Sequence, residues 1–495
     1  MNDIPLLSLI LLVPLAGAAL VWLRPGLAWA RAAALAASAT TLVLGVLAVG
    51  LLGDGAGFRL VEQAAWMPDL RVHYRVGVDG LSAPFLPATA LLFCAVILAS
   101  WKETRRLPAL YFSLLLLQLS ATLGVFVALD TILFFFFWEL TLVPLYFLVS
   151  LWGVGEHRRY AATKYTLVML AGGIPLLLGF VLLAFHYAAH TGQPVPAGLS
   201  FDLAALLAAP PPRATALAVF LLLLAGFAVK TPLFPLHTWL PVSVMEGPAA
   251  VAALLLGLKL GAYGLLRFAL PLSPAVAREW HWALAGLGVI GVLYGAIAAL
   301  AQTNLRRMLA YASLSHVGLV VLGLASFNVR GLQGAVFQLL NFTVAAGGIT
   351  LLIGFLHART GSTDFAGLGG IHRAAPLWSA LLLFFSLAGL GMPGTSGFPA
   401  ELLILVSALE THTGAGLAAL AGAVLAAAYT LGGYRKAVLG PVSRAEHEAL
   451  PDLTRRELAV ALGLAAPILV FGLYPAPLLD LMAPDAAAWV ARLKP

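Results

Sequence analysis

The sequence is poor in cysteine and in charge. Cys94 is the sole cysteine among 495 residues, which excludes intrachain disulfides, cysteine-held iron-sulfur clusters and cysteine zinc sites. Asp, Glu, Lys and Arg make up 10% of the chain, against roughly 25% in ordinary soluble domains. Apolar residues fill the space, with 61% hydrophobic residues and a mean hydropathy of +0.98. These values imply an all-α polytopic membrane protein, with the lipid bilayer as its first partner. No short charged leader with a small-residue cleavage site precedes the first apolar stretch, so residues 4–23 are expected to be a retained span. A net charge of +7 would suggest nucleic acid in a soluble protein; here it reflects positively charged loops on one side of a membrane, and no nucleic-acid role is expected. The polar segments are too short for a soluble catalytic domain. No cofactor, metal or redox site is therefore expected within the chain.

A membrane-crossing helix needs about 20 mostly apolar residues, and the sequence divides into fourteen such stretches: 4–23, 29–52, 81–100, 109–128, 130–152, 163–187, 215–240, 248–270, 281–302, 308–326, 331–356, 377–409, 414–436 and 457–482. They are numbered here as spans 1 to 14. Fourteen spans put both termini on one side. The connections after odd-numbered spans carry seventeen Lys and Arg, and the other side, termini included, carries nine. The termini are thus expected away from the cytoplasm. Between the spans, residues 53–80 read as a short hairpin, 189–214 as a proline-rich external linker, and 440–456 as the largest cytoplasmic loop.

The chain is expected to form one membrane domain over 1–495. Within it, 1–108 hold spans 1 to 3, 109–270 a first five-span block, 281–436 a second, and 457–482 span 14. Spans 7 and 12, the fourth of each block, carry Pro and Gly clusters in mid-span and read as broken helices. An odd number of spans per block inverts the second relative to the first, and inverted repeats with discontinuous helices are a transporter pattern.

The costliest stretch is 226–267, GFAVKTPLFPLHTWLPVSVMEGPAAVAALLLGLKLGAYGLLR. It places Lys230 and Lys259 in apolar sequence, with Pro232 and Pro235 directly after the first. Ionisable groups at bilayer depth are expensive and mark ion or proton paths. The carbonyls freed by the prolines are expected to stabilise the Lys230 ammonium. Glu139, in TILFFFFWELTLVPLYF, is expected to pair with a lysine on another helix. Burial disfavours each charge and the opposite charge restores it, so moving the partners apart would release or capture a proton. His316 lies beside Ser313 and Ser315 on span 10 and suits a proton relay. Glu401 follows the break of span 12 and mirrors Lys230 in the other block. His237 reads equally as a relay group or a loop residue, and Glu246 as a carboxylate serving a helix terminus.

The motifs FFFFWELTLVPLYFLVSLWG, AVKTPLFPLHTWLP, EGP, GLKLGAYGLLRF, LRRMLAYASLSHVG and GMPGTSGFPAELLIL occur in this order. Together they resemble the antiporter-like membrane subunits of respiratory complex I, most like the subunit M type, over roughly residues 80 to 440. The resemblance implies fourteen helices with two inverted five-helix repeats and broken helices 7 and 12. It implies proton translocation through Glu139, Lys230, Lys259 and Glu401, in a bacterial inner membrane. It also implies partners: other membrane-arm subunits, neighbouring antiporter-like subunits among them, with NADH and quinone met only through other subunits. An acid at 401 and an end after span 14 fit the subunit M type over its paralogues. The chain departs from the family pattern at three positions. Val244 and Phe342 stand where histidines are usual, and Asn304 where an acid is usual. Water, Asn341, Thr343 and Ser315 are the stand-ins the sequence offers. Relatives with the same ancestry leave two alternatives, a subunit of a multi-subunit sodium/proton antiporter or of a membrane-bound hydrogenase. A non-pumping scaffold subunit is a third.

Overall fold

The computed structural model describes residues 5–101, 106–442 and 444–493, with the side chains of 445 and 446 excepted. Ile4 of span 1 and Lys102, Arg105 and Lys494 of the charge count lie outside the described residues. Eleven described helices are long and apolar enough to cross a bilayer, and three shorter apolar helices, Leu6–Leu20, Phe85–Ala99 and Pro376–Gly389, take the remaining expected places. Short polar side chains start several spans by accepting the free amides of the first turn. Asp130 accepts from Ile132 and Leu133 at span 5, Asn304 from Arg306 and Arg307 at span 10, and Asn328 from Gly331 at span 11. At span 14, Thr454 and Glu457 form a reciprocal capping box.

Both expected breaks are present. Span 7 runs as Arg213–Lys230 and resumes at Trp239–Glu246; span 12 runs as Pro376–Gly389 and resumes at Gly397–Thr411. Two further interruptions occur. Span 5 pauses at Thr141, between Thr131–Leu140 and Leu142–Trp152. Span 8 opens at Leu258 and Lys259, between Ala249–Gly257 and Leu260–Gly264. At Gly261 a side chain would run into Phe227 and Thr231, so this glycine lets the open part of span 8 lie against the end of the first half of span 7. The last span of each block, 8 and 13, ends in a π-helical turn, Leu265–Ala269 and Arg435–Leu439.

The connections sort onto two faces. On one, the antiparallel hairpin of β1 (Arg59–Met67) and β2 (Val72–Val78) meets the chain ends. Its Glu62 accepts from Leu7 N at 2.6 Å, its Arg75 pairs with Asp202 from the connection between spans 6 and 7, and that connection carries a short helix, Leu203–Ala208, inside the expected linker. On the other face Glu246 accepts from His157 N at 2.9 Å, which sets its carboxylate at the start of span 6 as expected. There too Arg359 pairs with Glu457 at 2.5 Å. One expectation is corrected. Span 14 ends at Leu473, and a separate helix, Ala476–Leu493, turns back to pack on the hairpin face, its Trp489 indole donating to Leu266 O at 2.9 Å. Tyr474 and Pro475 separate the two helices.

Spans 8 and 11 form the axis of the molecule: 89% of the most apolar window of each is buried, against 28% for span 13. Lys259 lies on span 8, and Asn341 and Thr343 lie on span 11.

Candidate functional site

Lys230 ends the first half of span 7 and is 9% exposed. Its Nζ donates to Trp138 O at 2.9 Å and to Thr141 Oγ1 at 2.7 Å, and lies 4.0 Å from the centroid of the Trp138 ring. The pause of span 5 builds this seat. At the interruption Trp138 O accepts from both the Thr141 hydroxyl and Lys230. The carbonyls at the span 7 break take other partners, with Val229 O accepting the Trp239 indole at 2.9 Å and Ala228 O the Leu233 amide at 3.0 Å. The ammonium is therefore held by span 5, not by carbonyls of its own helix.

Glu139 stands one residue beyond Trp138. Both its carboxylate oxygens are enclosed and lack a hydrogen-bond partner among the described residues. Gly173 of span 6 makes the room, since a side chain there would strike the carboxylate. The expected Glu139–Lys230 contact pair is absent: among the described residues no ion pair within 4.0 Å joins them. Lys230 gains hydrogen bonds and an aromatic face at Trp138 and Thr141, which compensate a buried ammonium without a counter-ion in contact.

A cavity of about 30 Å³, lined among others by Gln118, Thr141, Lys230, Trp239, Leu258 and Leu260, leads from Lys230 to the opening of span 8. At roughly 10–15 Å³ per water it admits about two to three. Lys259 sits in that opening, 5% exposed, its Nζ 3.2 Å from Leu255 O. Thr343 of span 11 donates to Gly257 O at 3.3 Å and Leu339 O at 3.2 Å, so it ties the broken end of span 8 to span 11.

In the second block His316 meets Glu401 and Tyr429. Its Nδ1 is 3.7 Å from Glu401 Oε1 and its Nε2 3.3 Å from Tyr429 OH. Gln338 donates to Glu401 Oε1 at 3.2 Å. Asn341 accepts from Ser396 at 2.7 Å and so fastens span 11 to the break of span 12. Glu401 lies in the second half of its broken span, whereas Lys230 ends the first half of its own, so the two are not mirror positions. Ser315 is also placed otherwise than expected: its hydroxyl donates to Val292 O at 2.9 Å, facing span 9. His237 packs between Phe234 and Tyr294, its Nε2 3.2 Å from Tyr294 OH, where the span 7 break touches the second block.

The three departures have distinct settings. Val244 is fully buried in apolar packing. The Phe342 ring stands edge-on to His316, with centroids 5.2 Å apart. Asn304 donates to Asp364 Oδ1 at 2.6 Å, so an acid is present at this point from the connection after span 11. Trp138, Thr141, Gln118, Gln338 and Tyr429 join the site without having been singled out in the sequence. The two amides inside apolar spans, and the TLVP run after Glu139, are the signals that mark them.

Comparison with known proteins gives the family of the chain. Residues 128–426 match the family model described as NADH:quinone oxidoreductase/Mrp antiporter, TM. The NAD(P)H-quinone oxidoreductase chain 4 1 of Synechococcus sp. (strain JA-3-3Ab) is 38% identical over 490 residues, covering 96% of this chain and 90% of that one. The NADH-quinone oxidoreductase subunit M of Escherichia coli (strain K12) is 36% identical over 495 residues, covering 96% of each. A chain of respiratory complex I from Thermus thermophilus superposes with a TM-score of 0.89 at 31% identity, over 99% of this chain and 100% of that one. By family model, by relatives along nearly its whole length and by fold, the chain belongs to the NADH:quinone oxidoreductase/Mrp antiporter transmembrane family.

Proposed function

We propose that this chain carries protons across the bilayer as the subunit M type component of a complex I type NADH-quinone oxidoreductase. Redox chemistry, and any cofactor it needs, belongs to other subunits, and NADH and quinone reach this chain only through them. Its partners are the neighbouring membrane-arm subunits, including antiporter-like ones.

The observation that carries the reading is the divided seat of Lys230. Its ammonium rests on neutral acceptors, Trp138 O and Thr141 Oγ1, while the carboxylate of Glu139 stays enclosed and unpartnered nearby. A side-chain movement of Lys230 toward Glu139 exchanges neutral partners for a counter-ion. Contact with the carboxylate favours the protonated amine, and withdrawal disfavours it. A charge change in the adjacent subunit acts first on Glu139. Lys230 then loads or releases its proton through the water-sized cavity toward Lys259, and Lys259 passes it to His316 and Glu401. Asn341 and Thr343 hold the helix breaks along this line in register, and His237 sits at the seam between the blocks. In this reading 109–270 carries the first half of the path and 281–436 the second.

We also infer a bacterial inner-membrane setting with both termini on the non-cytoplasmic side, which the excess of Lys and Arg on the opposite connections supports. Inverted membrane vesicles carrying the complex test the reading. NADH oxidation should acidify the lumen without sodium, and Glu139→Ala should lower that acidification in an assembled complex. Sodium-dependent exchange without NADH oxidation would instead assign the chain to an antiporter, and normal pumping by the Glu139 variant would remove the proposed path.

A further inference from the structure

We propose that spans 10 to 13 enclose a second access path, which delivers protons to His316 from the face formed by the odd-numbered connections. It rests on the proton-translocation reading and adds an entry that does not pass Lys230. The path is a cavity of about 60 Å³, room for about four to six waters at roughly 10–15 Å³ each. Along span 10 its lining runs from Leu305, the first residue of the helix, to His316. At about 1.5 Å per residue this is roughly 16 Å, about half of the ~30 Å hydrocarbon thickness. Span 11 lines it from Phe342 toward its far end, span 12 along its first half, and span 13 from Tyr429 to Tyr434, all on the same side of His316.

The polar groups in this space point to water. Ser313 is 7% exposed, and its hydroxyl has no partner among the described residues; His316 Nδ1 likewise lacks a hydrogen-bond partner there. Buried polar atoms of this kind demand partners, and here the space beside them holds waters. Thr350, Ser386 and Thr430 add hydroxyls along the remaining length. Ser313 and His316 are three residues apart, so both face the cavity from one side of the helix. Phe342 forms the inner wall, closing the place where the family pattern has a histidine. No carboxylate or lysine lines the cavity, and apart from the phenols of Tyr429 and Tyr434 His316 is the sole titratable side chain in its lining, so the cavity conducts without storing a proton.

The test uses the whole complex in vesicles with Cys94→Ser, which removes the only native thiol of this chain. Ser386→Cys and Thr350→Cys are introduced singly, and silver ion, a water-sized thiol reagent, is applied from each side. Thiol occupancy is read by maleimide labelling after denaturation, and each variant is its own control for NADH-driven pumping before and after silver. The expected result is reaction from the odd-connection side only, with loss of pumping. Unreacted thiols would mean a dry cavity and overturn the inference. So would reaction that leaves pumping intact, as mere filled space. If the unaltered complex moves sodium instead of protons when NADH is oxidised, the underlying proton reading fails instead, and the two failures are thereby distinct.

Discussion

Two aspartates on the hairpin face carry opposite consequences for stability. Asp79 accepts two hydrogen bonds from Arg267, both at 2.6 Å, and further amides from Leu81 and Ser82. Asp485, on the C-terminal helix, accepts from Gly57 N and Gly80 N, each at 2.6 Å, and pairs with Arg59 at 2.7 Å. Burial pushes the Asp79 carboxyl up, but Arg267 outweighs it and holds the group below the usual aspartate range. Burial pushes Asp485 up and the charge of Asp79 adds to it, and its two amides and Arg59 do not offset them. Asp79 thus contributes stability that is present above the ordinary aspartate pKa of about 3.9 and is lost as pH falls through its depressed value. Asp485 does the reverse. What it contributes is present below about 3.9 and is lost as pH rises through its raised value, so at neutral pH its ionised form is a cost. Asp79→Asn leaves Arg267 buried without a counter-ion and should destabilise by about 3–5 kcal/mol. Asp485→Asn keeps an amide acceptor, loses one hydrogen bond and relieves the repulsion, for a net change within about 1 kcal/mol. Thermal inactivation of the purified complex measures both. An Asp485→Asn complex as labile as the Asp79→Asn one would refute the reasoning.

Two other changes probe the path and its ends. Thr141→Val removes the hydroxyl that holds the Lys230 ammonium, a hydrogen bond to a charged group with a worth of about 1.5–3 kcal/mol. It should slow pumping while Thr141→Ser retains it, and equal rates for both would deny the hydroxyl its role. Asn304→Asp sets a second carboxylate against Asp364 and should destabilise by at least about 1 kcal/mol, with Asp364→Asn added in the same chain restoring stability. A double-mutant cycle on thermal midpoints reads the coupling, and strict additivity would count against the contact.

The spans and the breaks of 7 and 12 were legible because hydropathy and mid-span Pro and Gly act locally. The opening at Lys259 was not, since no proline marks it; it depends on Gly261 lying against span 7, a tertiary contact. The Glu139–Lys230 pair was inferred from opposite charge, yet charge does not say which neutral acceptors compete, and Trp138 and Thr141 hold the ammonium. Ser315 was chosen for its nearness to His316 in sequence. Adjacent helical residues point about 100° apart, so Ser315 faces span 9 while Ser313 shares the side of His316. Glu401 and His316 were named separately and are brought together at 3.7 Å. The C-terminal helix was merged into span 14 because both are apolar, although Pro475 marks their division.

The central claim is that Lys230 carries protons that the redox reaction drives. The most direct measurement is the number of protons moved per NADH oxidised by the Lys230→Ala complex, compared with the unaltered complex in the same vesicles. The account predicts an assembled complex with that ratio lowered and coupled quinone reduction slowed. An assembled Lys230→Ala complex with an unchanged ratio would contradict it.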